Sequence, residues 1–501
     1  MRDCGGIEDG IGDRPRRERH DEPRDPEAAA GILPYEIEVV EDSAVTGRGG
    51  LPLVLETMKA LGMSPVINSQ LQLRQRDSGF DEAQMVEAVV LLMAAGGEVI
   101  DDINVLRQDE GLCRLLGRKL PAADTVRRFL YAFHEDERIQ EAREGRKEGQ
   151  VAYIPTESEP LQALGEIGKE LIKRVTLKRR SKKATLDLDA TIQESHKKEA
   201  LPHYKGGRGY QPSVIYWAEE DLVGADEYRD GNVPAGMENL PLIKRGFGAL
   251  PASVTERYFR GDSACYDEAV LKWLSDEERP QGPRGRIGFT ISADMSPSLR
   301  EVCQGVTKWE ALEDRPGETV AWAEVEFVPG DWPKKAAPLR YIALKIEKKQ
   351  LSLLKAEGEG EDTERVKYLA IVSNRWEMKG EALIKWHWKK AGTIELVHDV
   401  TKNELGGGVP PCGRFGANAA WYRLSLLTYN VLSAMKSLGL PPALSTARPK
   451  RLRFALFTLA GRIVSHAGQW VLRVSRGAHQ VAGLLEARSR LARLAQALAL
   501  S

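Results

Sequence analysis

Residues 185–191 read Thr-Leu-Asp-Leu-Asp-Ala-Thr, an alternation of apolar and acidic side chains. This period of two predicts a β-strand with its leucines on one face and its aspartates on the other. Asp189 falls where the strand ends, so we prefer it to Asp187 as a functional carboxylate. A strand-end aspartate taken alone is more often a turn residue. The interpretation therefore depends on which residues accompany it.

Two further isolated carboxylates accompany Asp189. Asp262 ends the strand-like run Arg-Tyr-Phe-Arg-Gly-Asp at residues 257–262, and Glu395 lies in a helical segment at residues 388–402. Two strand-end aspartates and one helix glutamate form a candidate metal-binding set. We expect these three side chains to converge.

The helical segment also carries an aromatic residue and a cation on the face of its glutamate. Trp388, Glu395 and Lys402 are spaced by seven residues, close to two helical turns, so a helix places them on one face. Taken alone, Glu395 would most often be a solvated helix residue. With His398 it forms a Glu-x-x-His pair, as in carboxylate-bridged di-iron bundles, but a second such pair is missing.

This set of acids has the chemistry of phosphoryl transfer. Mg²⁺ prefers hard oxygen ligands and retains part of its water shell, so a few carboxylates suffice to hold it. Two such ions hold the attacking and leaving oxygens in line and neutralise the charge that develops on the phosphate. The three acids therefore predict a metal-dependent enzyme that acts on phosphodiesters.

Composition places limits on the class of protein. The chain has 501 residues, 42% of them hydrophobic and 29% charged, with a net charge of −1, so DNA affinity would have to come from local basic patches. Its five cysteines show no paired spacing, which argues against a disulfide framework and a zinc ribbon. The sequence has no membrane-spanning stretch and no signal peptide, so we expect a cytoplasmic protein.

The pattern along the chain predicts an α/β protein. Residues 35–42 alternate in a β manner, residues 50–133 are helical, and strands are expected at 212–218, 222–228 and 286–292. A further β-rich block covers residues 318–347 and 368–372. From about residue 380 the pattern is helical to the end.

Several sequence segments, taken together, resemble the motifs of a known protein family. They are Leu-Asp-Leu-Asp-Ala-Thr at 186–191, Lys-Gly-Gly-Arg-Gly-Tyr-Gln-Pro at 205–212, Arg-Asp-Gly-Asn at 229–232, Arg-Gly-Asp-Ser-Ala at 260–264 with Tyr266, the Glu395 helix, and Gly-Arg-Phe-Gly-Ala-Asn-Ala-Ala-Trp at 413–421. Over roughly residues 180–480 the chain resembles the DDE transposases of bacterial insertion sequences. It is most similar to the insertion sequence 1380 family, within the superfamily whose glutamate helix carries a Tyr-Arg-Glu-Lys signature.

The resemblance implies an α/β fold with a ribonuclease-H-like catalytic core, a mixed sheet flanked by helices, and an inserted β-rich domain. Composition and pattern predict a disordered tail at 1–31, a helical N-terminal DNA-binding domain at 32–160 and a basic helical C-terminal region at 441–501. Between them, the resemblance implies the first part of the core at 161–300, the β-rich insertion at 301–375 and the second part of the core with the glutamate helix at 376–440.

The resemblance also implies roles for individual residues. Asp189, Asp262 and Glu395 are carried over as the catalytic triad and as ligands of two Mg²⁺ ions, with Mn²⁺ as a substitute, and Lys402 as a DNA-contacting lysine. Trp388 stands where the signature has tyrosine. The signature arginine falls on an alanine, with Lys390 one residue earlier.

Further DNA contacts are predicted from basic and aromatic side chains. After residue 440 the chain is rich in arginine and has a single acid, Glu486, which indicates a backbone-binding surface, although a solvated helix face is an equal alternative for 486–494. Trp322 and Trp332 are more often core residues than base-stacking ones. The predicted DNA-binding residues are Lys402, Trp388, Lys390, Lys205, Arg208, Tyr210, Arg448, Lys450, Arg451 and Arg453.

The sequence therefore predicts a transposase that binds the terminal inverted repeats of an insertion sequence and catalyses metal-dependent end cleavage and strand transfer. Its partners would be double-stranded DNA, both element ends and target DNA, and further copies of itself in a homodimer or higher oligomer on DNA. It would act in the bacterial cytoplasm, at the nucleoid. The alternatives are a transposase-derived DNA-binding protein without catalysis and a ribonuclease-H-like nuclease without strand transfer.

Overall fold

The computed structural model describes residues 44–74, 79–315, 317–330, 332–333, 336–348 and 366–499. The tail predicted at 1–31 and the strand predicted at 35–42 lie outside these residues. The helices are α1 Leu53–Ala60, α2 Met63–Gln70, α3 Glu82–Ala95, α4 Ile103–Gln108, α5 Glu110–Leu116, α6 Ala123–Tyr131, α7 Asp136–Glu144, α8 Glu159–Arg179, α9 Asn239–Gly248, α10 Glu268–Ser275, α11 Pro297–Gln304, α12 Gly380–Trp388, α13 Ala391–Glu404, α14 Phe415–Leu438, α15 Pro449–Leu452 and α16 Gln480–Ala499.

The strands alternate with these helices through the middle of the chain, which confirms the α/β class. They are β1 Val45–Thr46, β2 Lys183–Ala190, β3 Gln193–Glu194, β4 Leu201–Pro202, β5 Arg208–Tyr210, β6 Ser213–Trp217, β7 Leu222–Glu227, β8 Glu256–Gly261, β9 Ile287–Ala293, β10 Glu310–Arg315, β11 Glu318–Val325, β12 Arg340–Lys348, β13 Val366–Ser373, β14 Gly461–His466 and β15 Gln469–Val474.

One large mixed sheet dominates the fold, with the strand order β10-β11-β12-β13-β9-β8-β2-β6-β7. β8 runs parallel to both β2 and β9, and the remaining pairs are antiparallel. Of these three strands β9 is the most apolar and is almost entirely buried, and β2 and β8 are buried mainly in their middle or C-terminal parts. Helix α9 makes the crossover from β7 to β8, and α10 makes the crossover from β8 to β9.

The β-rich segment predicted as an insertion continues this sheet. Strand β13 pairs antiparallel with β9, and β12, β11 and β10 follow outward in turn. These strands share the sheet of β2, β8 and β9, because residues 290–293 of β9 pair with β13. The description of this segment as an inserted domain stays a prediction. A second apolar cluster, which includes Val320, Ile342 and Leu383, packs α12 onto these outer strands.

Helix α14 connects the N-terminal helices to the sheet. Its residues 416–435 are all buried, and it packs against α8, α3, α6 and α1 as well as β7. A helix that is buried all round needs partners for its polar groups. Asn430 meets this need by pairing with the backbone of the edge strand β7, since its amide accepts from Val223 N at 2.7 Å and donates to Val223 O at 2.9 Å.

The C-terminal region is not helical throughout, which corrects the prediction for residues 441–501. Strands β14 and β15 form a hairpin that joins β1 in a three-stranded sheet. Ala467 and Gly468 form its two-residue turn, with φ values of 49° and 76°. Two positive φ angles suit the right-handed twist of a hairpin. Two short β-branched and aromatic runs, at 463–464 and 470–474, flank the Ala467-Gly468 turn and carry this signal.

The helical prediction for residues 50–133 is confirmed by α1–α6. In the described part of the chain no single helix is long and apolar enough to span a bilayer. Helix α3 and the segment Ile100–Gln108 pass that test only together, and they are bent by 95° at their junction.

Candidate active site

Two carboxylates meet at the ends of adjacent parallel strands. The β2–β8 register pairs Asp187 with Arg260, so Asp189 and Asp262 come two residues later on neighbouring strands and at the same edge of the sheet. Asp262 accepts a hydrogen bond from Ala264 N at 3.1 Å, which fixes its backbone at the start of a short 3-10 turn. The two carboxyl groups lie close enough for the charge of Asp189 to act on Asp262.

Asp187 is hydrogen-bonded to other side chains of the protein, which supports the preference for Asp189 as the functional carboxylate. Arg260 donates to both oxygens of Asp187 at 2.6 and 2.7 Å, and Thr393 Oγ1 donates to Oδ2 at 2.7 Å. The Asp187 side chain is fully buried and that of Arg260 is 3% exposed. This bidentate pair ties β2 to β8, and Thr393 adds the start of α13 to them.

Two cationic or potentially cationic side chains contact Asp189 from the helix side. Lys390 Nζ donates to Asp189 Oδ1 at 3.0 Å, and His398 Nε2 lies 3.4 Å from Oδ2. The side chain of Asp189 is 20% exposed and that of Lys390 is 13% exposed. The site is therefore a partly buried charge cluster that α13 closes on one side.

The charges of this cluster shift its pKa values in opposite directions. Burial would raise the pKa of Asp189, but the neighbouring His398 and the charge of Lys390 outweigh it and hold that pKa below its usual value. Burial raises the pKa of Asp262, and the charge of Asp189 adds to this effect. Burial alone would lower the pKa of Lys390, but the charges of Asp189 and Asp262 outweigh burial and raise that pKa above its usual value. Two adjacent carboxylates do not ionise equally.

Glu395 lies on the exposed surface of α13. His398, one turn further on, contacts Asp189, and Lys402 Nζ donates to the carbonyl of Ile192 at 2.6 Å, just beyond β2. Because residues three and seven positions from Glu395 contact the end of β2, Glu395 lies beside the site. Its convergence with the aspartates stays a prediction.

Trp388 does not share the helix of Glu395, which corrects that prediction. It ends α12, and α13 begins at Ala391 after a turn closed by the hydrogen bond from Lys390 N to His387 O at 3.1 Å. Lys390 then directs its side chain to Asp189. The Trp388 ring packs against the apolar cluster of the outer strands.

The residues present fit a divalent cation in their chemistry. Two adjacent carboxylates, one with a raised pKa because of burial and the charge of the other, offer hard oxygen donors that lack a full counter-charge. Among the residues with described positions, no group of three or more His, Cys, Asp or Glu side chains is arranged to hold a metal ion. A three-acid centre therefore needs Glu395 to move toward the pair.

The predicted DNA contacts divide into exposed and internal residues. Lys205, Lys450 and Arg451 are exposed, and Lys402 is half-buried. The charge of Lys205 acts on Lys402, so these two lysines lie near each other beside the site. Arg208 is exposed, but its guanidinium donates to the carbonyls of Ala200 and Lys198, each at 2.8 Å.

Tyr210 is a core residue, so its prediction as a DNA contact is wrong. Its side chain is 1% exposed and packs against the rings of Tyr228 and Phe415. Its hydroxyl accepts a hydrogen bond from Asn418 Nδ2 at 3.1 Å. The glycine-containing loop conceals this role, because the burial of Tyr210 depends on α14, some 200 residues away.

Two of the four basic residues predicted at 448–453 also act internally. Arg448 Nε donates to Glu404 at 2.6 Å, and its guanidinium also pairs with Asp399. Arg453 donates to the carbonyls of Met93, Ala94 and Glu404, at the C-terminal ends of α3 and α13. Arg453 thus satisfies carbonyls that a helix end leaves without partners, and its prediction as a DNA contact is corrected.

Trp322 in β11 and Trp332 in the loop between β11 and β12 both pack against other parts of the protein. Trp322 lies on Gly380 of α12, where an added Cβ would come within 2.1 Å of its ring. Trp332 is 9% exposed, and its indole donates to Ala337 O at 3.2 Å. The core interpretation of both is confirmed.

Sequence reasoning missed a buried ion-pair network behind the sheet. Arg423, the one charged residue in the buried stretch of α14, donates to Glu157 and to Asp226, with shortest distances of 2.8 Å to each. The network borders a cavity of about 620 Å³ between α8, α9, β7 and α14. The signal was available, since a lone arginine in a long apolar helix requires a buried acid as its partner.

Comparison with known sequences gives one match for almost the whole chain. The model of a family described as "Transposase DDE domain group 1" matches residues 37–496. No curated protein matches the chain.

Proposed function

The chain belongs to the Transposase DDE domain group 1 family, and from that membership we propose that it is the transposase of a bacterial insertion sequence. It would bind the terminal inverted repeats of its own element, cut the DNA there and join the freed end to a target. We assign it, more finely, to the insertion sequence 1380 family. Its DNA substrate would place it at the bacterial nucleoid.

The observation that carries this proposal is the carboxylate pair at the end of the parallel strands. Asp189 and Asp262 end adjacent parallel strands and are partly buried, and Lys390 and His398 of the α13 region contact Asp189. Enzymes that act on phosphodiesters with divalent ions need such oxygen donors at an edge that a polymer can reach. The helix that covers the pair is also the one that carries Glu395.

The arrangement of strands supports a ribonuclease-H-like core. In the order β7-β6-β2-β8-β9, the antiparallel strands β2, β6 and β7 come first along the chain, interrupted only by the small sheet β3-β5-β4. The two later strands β8 and β9 run parallel to β2. This order brings the ends of β2 and β8 together and leaves α13 to supply the third acid. The strands β10–β13 would then be an elaboration of that core.

We propose that Asp189, Asp262 and Glu395 hold the metal ions, two Mg²⁺ or Mn²⁺ in its place. When bound, Mg²⁺ supplies positive charge at the attacking and leaving oxygens of the phosphodiester. His398 keeps Asp189 oriented, and the Arg260–Asp187 pair holds the two strands in register. Glu395 would close the site from the exposed face of α13.

The DNA backbone would follow the surface next to α13. Lys205 and Lys402 lie near one another at the end of β2. Glu404 at the end of α13 accepts from Lys450 N at 2.8 Å, which places Lys450 and Arg451 beside the same helix. These side chains would contact phosphates as point charges, so DNA affinity should fall with increasing salt.

The reaction would proceed in two displacements at this one site. Attack by water at the element end breaks the phosphodiester and leaves a free 3′-hydroxyl. That hydroxyl then attacks a target phosphodiester, so one bond to phosphorus forms as another breaks. Because two ends must be joined to one target, we propose a dimer or higher oligomer on DNA.

The experiment that tests the proposal uses labelled element ends, Mg²⁺ and a target plasmid, with the products mapped on sequencing gels. We expect nicks at the element ends and joined products from the wild-type chain. Asp262→Asn should abolish both and keep end binding. The matched control is Asp294→Asn, since Asp294 follows β9, the next parallel strand, and is exposed.

Other outcomes would change the assignment. Nicks without joined products would indicate a nuclease without strand transfer. End binding without any cleavage by the wild-type chain would indicate a DNA-binding descendant of a transposase. Undiminished cleavage by Asp262→Asn would exclude the proposed site.

A further inference from the structure

The ammonium group of Lys390 contacts the aspartate pair of the candidate active site. Its Nζ lies 3.0 Å from Asp189 Oδ1, its side chain is 13% exposed, and the charges of both Asp189 and Asp262 act on it. His398 lies beside the other carboxylate oxygen of Asp189, Oδ2. The ammonium of Lys390 is thus the fixed positive charge that faces the two aspartates together.

Two adjacent, partly buried carboxylates are unfavourable without a cation, because each charge is poorly solvated and repels the other. An ammonium group that donates to one and attracts both relieves this repulsion. A divalent ion bound by the same two carboxylates would relieve it in the same way and would need the same oxygen atoms. Lys390 and a metal ion therefore compete for Asp189.

We propose that Lys390 is an internal substitute for the divalent ion. In the metal-free chain it holds the carboxylate pair together, and it leaves Asp189 when the metal ion binds. This inference rests on the proposed function, since it takes Asp189 and Asp262 as metal ligands. The inference adds that a metal ion must displace the Lys390 ammonium from Asp189 in order to bind.

The local chain allows this exchange. Lys390 belongs to the turn between α12 and α13, and Gly392, in the first turn of α13, is exposed with no atom near its missing Cβ. The lysine side chain has a flexible stem of four carbons, so its ammonium can move several ångströms without a change of fold. Once released, the charge would be free to contact a DNA phosphate on the surface next to α13 proposed above.

The test measures metal binding directly, apart from cleavage. We compare Mn²⁺ binding to the wild-type chain, Lys390→Met and Lys389→Met by electron paramagnetic resonance and calorimetry. Lys389 is the matched control, because it is the neighbouring lysine and is exposed. We expect Lys390→Met to bind Mn²⁺ about tenfold more tightly or better, since one competing unit charge is removed, and Lys389→Met to match the wild type.

Thermal unfolding supplies a second readout. In a chelator, Lys390→Met should unfold at a lower temperature than the wild type, and saturating Mn²⁺ should remove most of that difference. If Lys390→Met folds poorly in the chelator, recovery on addition of Mn²⁺ supports the inference. Failure of both Lys390→Met and Lys390→Gln to fold even with Mn²⁺ would contradict it, because a divalent ion should replace the ammonium.

The outcomes separate this inference from the proposed function. If the wild type binds Mn²⁺ and Lys390→Met binds it no more tightly, Lys390 is not a competitor and the metal site stands. If neither protein binds Mn²⁺, both the metal site and the inference are wrong. Binding by Lys390→Met alone would support the inference strongly.

Discussion

The buried pair between Arg260 and Asp187 should stabilise the fold and the active site together. Replacing Arg260 by Met removes two charged hydrogen bonds of 2.6 and 2.7 Å and leaves a carboxylate that is fully buried with Thr393 as its remaining partner. Loss of one member of a buried pair typically costs about 3–5 kcal/mol. Arg260 also donates to Trp386 O at 2.9 Å, which places the estimate toward the upper end.

The assay is urea unfolding followed by far-UV circular dichroism, with the free energy of unfolding compared among three variants. Arg260→Met alone should lose about 3–5 kcal/mol. The double variant Arg260→Met with Asp187→Leu should recover most of that loss, because it removes both charges and leaves apolar side chains of similar size. A single variant within about 1 kcal/mol of the wild type, or a double variant less stable than the single one, would refute the reasoning.

Three further predictions follow from the charged groups. Glu157 has a pKa lowered to about 2 because Arg423 outweighs the effect of burial, so its contribution is present above its ordinary pKa of 4.5 and is lost as the pH falls toward 2. Glu157→Gln should therefore be less stable than the wild type by about 3 kcal/mol at pH 7, and the difference should shrink below pH 4.5 in urea titrations. Arg453→Met should lower the free energy of unfolding by about 1–3 kcal/mol and leave the salt dependence of DNA binding unchanged, as measured by urea unfolding and fluorescence anisotropy. Lys450→Ala should leave the free energy of unfolding unchanged and make the salt dependence of DNA binding shallower. A loss of stability without any change in DNA binding would instead assign Lys450 an internal role.

Local patterns were sufficient to predict the strands that build the site. The alternation in residues 185–191 and the strand-like run before Asp262 depend on neighbouring residues alone, and both correspond to strands of the large sheet. Parallel pairing of those strands then brings Asp189 and Asp262 to one edge. The participation of Glu395 stays a prediction, since its side chain is exposed.

The misassigned side chains share a physical cause, which is contact over long sequence distance. Lys390 is 201 residues from Asp189, and no local spacing indicates that its ammonium would reach that carboxylate. Tyr210 and Arg453 were assigned to DNA because aromatic and basic residues are typical of such surfaces. Their burial depends on α14 and on the ends of α3 and α13, which only the folded chain brings together.

The most direct test of the account is a crystal structure of the chain with element-end DNA and Mn²⁺, in which the ions are located by anomalous scattering. We expect a metal ion between Asp189 and Asp262, with a Glu395 oxygen in the coordination sphere at about 2.0–2.3 Å and Lys390 withdrawn from Asp189. Ions bound elsewhere while Lys390 still contacts Asp189, or a Glu395 side chain that remains outside the coordination sphere, would contradict it.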